Sequence, residues 1–131
     1  MTKTHDAPHG QLLLRTLAMP ADTNANGDIF GGWIMSQLDL AGGILAKEIS
    51  GGRIVTVSVS SITFKKPVKV GDVVCCYGAC SKIGRTSMSI DIDVWVKPVK
   101  EDGVGDRFQV CDATFHYVAI DNEGRPRVIE P

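Results

Sequence analysis

The sequence predicts an α+β fold in which one long antiparallel sheet wraps around one central helix. Three observations carry that expectation. A single long helix signal, Gly31 to about Ser50, is apolar over most of its girth. Nearly everything after it reads as strand, most clearly where Met88, Ile90, Ile92, Val94 and Val96 alternate with Ser87, Ser89, Asp91, Asp93 and Trp95. The chain has 131 residues, the size of one domain, so no second domain is expected to cover the helix. A flat sheet would leave its far side wet, so either a curled sheet or a partner subunit must cover it.

The elements follow in order. Residues 1–10 form a polar, flexible N-terminal arm, and residues 11–131 form the single domain. In the arm His5 and His9 are four apart, but Pro8 argues against a helix that would align them on a metal. Gln11 to Met19 is the first strand, ended by Pro20, and Ala21 to Asp28 is a turn-rich loop. In the helix Ile34, Leu38, Ala41 and Leu45 share one stripe, Met35, Gly42 and Ala46 a second, and Gly51 with Gly52 stops it. Arg53 to Lys66 is a strand with Val55, Val57 and Val59 on one face. Ile62 and Phe64 fall on the other parity, which predicts a bulge near Ser60. Asp72 to Ile83 is the third strand, Gly84 a tight turn, Pro98 to Asp106 a polar loop and Arg107 to Ile120 the last strand.

Composition excludes several classes. Lys plus Arg is 14 and Asp plus Glu 15, a balance unlike the basic surplus of nucleic-acid binders. Ile29 to Ala46 runs 18 residues with one charge, but that charge is a central carboxylate and four glycines interrupt the run, so no membrane span is expected. The first ten residues lack an apolar signal core, which points to the cytoplasm and to reduced thiols at Cys75, Cys76, Cys80 and Cys111. No C-x-x-C pair or zinc-like histidine spacing occurs, so no metal is expected. Asp22, Asn24, Asn26 and Gly27 imitate the start of a calcium loop, but Trp33 stands where its closing Glu belongs. No phosphate loop of the G-x-x-x-x-G-K type and no G-x-S-x-G elbow are present, and His116, alone within a strand, reads as structural.

Asp39 is the first candidate for chemistry. A carboxylate within an apolar helix is costly unless buried donors hold it, a subunit contact uses it, or catalysis needs it. Gly31 and Gly32 open the same helix, where free N–H groups and the positive dipole end can receive an oxyanion. Gly31 and Asp39 lie eight residues apart, roughly 12 Å along a helix axis. One carbonyl cannot easily meet both within one helix, so a shared substrate requires two copies of the helix and hence a dimer. Asn24 or Asn26 is a candidate to orient a water by its side-chain amide, or else simply satisfies the turn. Arg85, Thr86 and Ser87 after Gly84, with Lys82, form one basic turn, and Lys65, Lys66 and Lys69 a second; either suits phosphates.

Together these residues resemble the bacterial broad-specificity acyl-CoA thioester hydrolases of the hotdog fold and their animal tandem-domain relatives. The similarity runs through A-M-P-A-D-T-N-A-N-G-D-I-F-G-G-W-I-M-S-Q-L-D-L-A-G (Ala18 to Gly42), F-K-K-P-V-K-V-G-D (Phe64 to Asp72) and F-H-Y-V-A-I-D-N-E-G-R-P (Phe115 to Pro126). It covers nearly the whole chain from Gln11. The resemblance implies hydrolysis of acyl-CoA thioesters to fatty acid and CoA, without a cofactor, CoA being part of substrate and product. It implies homodimers whose helices share one site, assembled as trimers of dimers; the charge balance and the interrupted apolar run give no expectation of a nucleic-acid or membrane partner. By position Asp39 matches the carboxylate that acts on the thioester, as general base or nucleophile. Asn24 matches an asparagine across the site, and Gly31 the glycine whose N–H polarises the carbonyl, with Gly32 beside it. Gly84, Arg85, Thr86 and Ser87 lie where such proteins meet CoA. Phe30 stands where several relatives carry His. The alternative is a hotdog sensor that binds acyl-CoA without turnover; such sensors usually carry a DNA-binding segment, for which residues 1–10 are too few. A hotdog hydratase would need a His near the helix, and none lies between His9 and His116.

Overall fold

The computed structural model describes residues 7–129, and His5 lies outside them. The main elements are β1 (Gln11–Leu17), α1 (Gly31–Ser50), β2 (Ile54–Phe64), β3 (Val73–Ile83), β4 (Ser87–Lys97), β5 (Val99–Lys100), β6 (Gly103–Val104) and β7 (Phe108–Ala119). β1, β3, β4, β7 and β2 form one antiparallel sheet in that order, and α1 packs against all five of its strands. This is the hotdog arrangement. No described helix is long and apolar enough to cross a membrane.

The alternation in β4 does what its pattern implies. Ile90, Ile92, Val94 and Val96 turn toward the helix and are buried, meeting the stripe Ile34, Leu38, Ala41 and Leu45. The helix stops at Gly51, whose φ of 72° lets its N–H return to the Lys47 carbonyl at 2.8 Å. Below the helix the carbonyl of Ser50 receives Arg127 Nη1 at 3.0 Å, a cation placed at the negative end of the helix.

Several expectations need correction. β1 ends at Leu17 rather than Met19, because the chain already turns to bring the Ala18 N–H onto the Asp72 carbonyl. The loop from Pro98 to Asp106 contains a two-stranded ribbon of β5 and β6. The bulge near Ser60 is present: pairing shifts between Ser60 and Thr63, and Ser61 adopts φ 57°. A second shift, between Thr56 and Ser58, was not expected. It inverts the parity of the valines. Val55 pairs with outward-facing Val118, whereas Val59 pairs with buried Phe115, so the three valines do not share a face. The sheet also does not cover the whole helix. Met35, Leu40 and Ile44 remain exposed, beside a β2 edge whose Val55, Val57 and Val59 are exposed as well.

Candidate active site

The loop before α1 fixes how the helix begins. The Ile29 N–H donates to the Val68 carbonyl at 2.9 Å and the Phe30 N–H to the Asp22 carbonyl at 3.1 Å. Phe30 is the N-cap residue and provides no capping side chain. The N–H groups of Trp33 and Ile34 both go to its carbonyl, whereas those of Gly31 and Gly32 find no acceptor among the described residues. They are the orphan donors of a helix N-terminus, at its positive end. Gly31 lines a cavity of about 350 Å³ with Ile34, Phe64, Lys66, Pro67 and Val110. The Phe64 ring lies beside it, and a Cβ on Gly31 would approach Phe64 Cζ to 3.4 Å.

Asp39 lies in a different cavity, of about 260 Å³, whose walls include Leu40, Gly43, Ile44, Ile54, Thr56 and Tyr117. Thr56 and Tyr117 are register partners on β2 and β7, so their hydroxyls emerge side by side beneath the helix. Thr56 Oγ1 donates to Asp39 Oδ1 at 2.6 Å, and Tyr117 Oη reaches the same oxygen at 3.1 Å and the Asp39 carbonyl at 3.0 Å. Oδ2 carries no hydrogen bond among the described residues. Burial pushes the Tyr117 hydroxyl well above its ordinary pKa, and the adjacent Asp39 charge adds to the effect. It therefore stays protonated and remains a donor. The arrangement presents one spare carboxylate oxygen, backed by two donors, to a cavity lined mainly by apolar groups and by Lys47. Such a group can take a proton from water or attack a carbonyl.

Within one chain Gly31 and Asp39 thus line separate cavities, as their spacing predicts. Asn24 lines neither. Its Oδ1 accepts from Asn26 N–H at 2.9 Å and Asp28 N–H at 3.2 Å, closing the turn that its sequence suggests. Its Nδ2 makes no bond among the described residues. Gly84, Arg85, Thr86 and Ser87 form the β3–β4 hairpin, with Arg85 exposed. This turn is held by its backbone: Gly84 N–H to the Ser87 carbonyl, Ala119 N–H to the Thr86 carbonyl and Ile129 N–H to the Arg85 carbonyl. Of the second basic group, Lys65 pairs with Asp112 at 3.3 Å, Lys69 pairs with Asp28, and Lys66 sits 5.2 Å above the Phe108 ring. His116 bridges Ser60 Oγ at 3.1 Å and Ser89 Oγ at 2.9 Å, tying three strands together as a structural residue does. No group of His, Cys, Asp and Glu suited to a metal occurs among the described residues.

Sequence reasoning missed Thr56 and Tyr117. Tyr117 was legible in part, as the hydroxyl-bearing member of a strand face shared with Phe115. Thr56 was not, because simple alternation sets it apart from the valines, and only the Val57 bulge lets it share a face with Val59.

Comparison with known proteins gives the arrangement its context. Residues 26–102 match the model of the Thioesterase superfamily. The chain is 61% identical over 129 residues to the acyl-CoA thioester hydrolase YciA of Escherichia coli K12, covering 98% of both chains. It superposes on the hexameric thioesterase of Yersinia pestis with a TM-score of 0.91 at 59% identity, covering 95% of this chain and all, 100%, of that one. A hexameric broad-specificity acyl-coenzyme A thioesterase is similar at 62% identity and a TM-score of 0.90, over 95% of this chain and 84% of that one. With one helix seated in a five-stranded antiparallel sheet and relatives of this closeness along nearly its full length, the chain belongs to the Thioesterase superfamily, among the bacterial hotdog-fold acyl-CoA thioester hydrolases.

Proposed function

We propose that this protein hydrolyses acyl-CoA thioesters, with water, to a free carboxylic acid and CoA, at a site that two protomers share. The observation that carries the proposal is the Asp39 carboxylate: Oδ1 held by two hydroxyls, Oδ2 without a hydrogen bond among the described residues, in a cavity lined mainly by apolar groups and by Lys47. The Gly31 N–H of one protomer receives the thioester oxygen, and Asp39 of the other acts on the carbonyl. As general base, Oδ2 takes a proton from the water that attacks; as nucleophile, it forms a mixed anhydride that water then opens. In either course the carbonyl oxygen gathers negative charge at a helix N-terminus, and CoA leaves as a thiolate that is then protonated. Asn24 offers its Nδ2 to the water or the carbonyl, and Gly32 allows close approach. Gly84, Arg85, Thr86 and Ser87 form the CoA contact. No cofactor enters the reaction.

The dimer rests on geometry. The Gly31 N–H, without an acceptor among the described residues, and the spare oxygen of Asp39 belong to separate cavities of one chain, and a second helix would unite them. The apolar surface of Met35, Leu40 and Ile44 with the open β2 edge is what a partner would cover. The solved relatives named above are hexamers, and a trimer of dimers is the assembly proposed here.

The test is thiol release from acyl-CoAs of short to long chain, by wild type and Asp39→Asn together. Turnover that collapses in a folded Asp39→Asn supports the reading. Saturable binding without turnover by wild type would make the protein an acyl-CoA sensor instead. Equal rates in both would keep the hydrolase and remove Asp39 as its catalyst. Single turnover in heavy-oxygen water separates the two roles, since label enters Asp39 only if its carboxylate attacks.

A further inference from the structure

We infer that Tyr117, seated over Gly42, is a positioning residue for the reaction proposed above: its hydroxyl ties Asp39 by Oδ1 and so leaves Oδ2 as the working oxygen. The inference rests on that functional reading and deepens it.

The strand position does not by itself ask for a hydroxyl. Tyr117 is fully buried, and its ring stacks on Phe115 with centroids 6.3 Å apart. A phenylalanine would fill nearly the same volume without a polar atom that must find partners in the core. The hydroxyl finds them in a single residue of the helix, the Oδ1 and the carbonyl of Asp39, at 3.1 and 3.0 Å. Its one proton lies between two acceptors of the same residue, so it ties the side chain of Asp39 to the backbone that carries it.

The helix makes room for this contact. A Cβ on Gly42 would overlap the Tyr117 hydroxyl and come within 2.8 Å of Ile92 Cδ1. Gly42 lies three residues after Asp39, on the neighbouring turn. A glycine in mid-helix costs about 1 kcal/mol against alanine, and here it is the notch through which the strand hydroxyl reaches the carboxylate. Thr56 donates to the same oxygen from β2, at 2.6 Å. Two strands therefore hold Oδ1 from behind. Tyr117 stays protonated, because burial and the Asp39 charge both oppose its ionisation. A base or nucleophile works best when its reactive lone pair is aimed before the substrate arrives, and an oxygen with two donors already on it is the weaker of the pair.

The test compares kcat and KM for hydrolysis of a medium-chain acyl-CoA by wild type, Tyr117→Phe, Asp39→Asn and the double variant, with thermal melts to confirm folding. Tyr117→Phe is expected to lose about tenfold in kcat, the scale of one hydrogen bond to a charged group, with KM unchanged. In the Asp39→Asn background the same change is expected to have no further effect, because a positioning residue acts only through the group it positions. Gly42→Ala disturbs the hydroxyl from the helix side, and its loss in kcat should not add to that of Tyr117→Phe. Unchanged kcat in a folded Tyr117→Phe overturns the inference, as does an equal further loss in the Asp39→Asn background. If wild type itself hydrolyses no acyl-CoA, the functional reading fails and takes the inference with it.

Discussion

The two stations on α1 are built from opposite materials. At Gly31 the helix offers backbone: its N–H and that of Gly32 have no acceptor among the described residues, and Gly31 lines a cavity with a phenylalanine ring and lysines. At Asp39 it offers a side chain, and two strands supply the hydroxyls that hold it. The first station depends on where the helix starts, the second on which strand residues face inward. A donor made of backbone tolerates most side-chain changes around it, whereas a carboxylate aimed by Thr56 and Tyr117 is exposed to the loss of single atoms. Substitutions at the two stations should therefore differ in size and in kind.

The largest effect is expected at Asp39. Asp39→Asn should lower kcat by roughly 10³-fold, within the range for removal of a general base, in an assay of CoA release on protein whose melting is close to wild type. Gly31→Pro removes the N–H at the first helical position without breaking the helix, because proline suits that position and Phe30 already has the extended backbone (φ −76°, ψ 152°) that must precede it. A loss of about 10²-fold in kcat is expected, the scale of one oxyanion donor. Unchanged kcat there would leave the Gly31 station without a catalytic role. The two variants also test whether the stations meet across protomers. Each alone should be nearly inactive, but mixed dimers hold one intact site and should regain activity after co-refolding. Failure to regain it would place both groups within one chain and contradict the cavities observed.

Thr56→Ala comes next, with about a tenfold loss in kcat for one hydrogen bond to a carboxylate and little change in KM. A loss confined to KM would instead make Thr56 a substrate contact. The smallest effect concerns stability rather than rate. Cys111 pairs with Phe64 on the Gly31 side of the sheet, and Cys76 lies in the same core. Burial, the larger cause for each, pushes both thiols up from 9.0 to about 12. Folding thus favours the neutral thiols, and their contribution is whole below pH 9.0 and lost as pH rises toward about 12. Urea unfolding should show stability falling through this window, less steeply in Cys76→Ala or Cys111→Val. The same slope in variants and wild type would assign the alkaline loss elsewhere.

The helix and its exits were legible because they depend on local rules: a stripe at helical spacing, a glycine stop after Ser50, and an alternating run in β4. Gly31 as the first residue of the helix and Asp39 as an uncommon carboxylate follow from the same reading. Asn24 was placed correctly in a turn, but its Oδ1 is occupied in closing that turn. The valines of β2 show where alternation stops working. One extra residue at Val57 reverses the side chains from Ser58 to Ser60 until the second bulge restores them, and no composition rule marks where a strand will bulge. The β5–β6 ribbon escaped for another reason, since two residues a side carry no period.

By itself the sequence pointed to one domain, one buried helix, a sheet to hold it, and two helix residues as candidates for chemistry. Each follows from periodicity, from the free ends of a helix, or from the cost of placing a charge among apolar neighbours. Only the tertiary structure decided what holds the carboxylate. Thr56 and Tyr117 lie 17 and 78 residues away from Asp39 along the chain. They reach it because β2 and β7 pair in a register that a bulge adjusts and because Gly42 leaves the space of one methyl group. Register and close approach are properties of two segments together, and so they appear only when the segments meet.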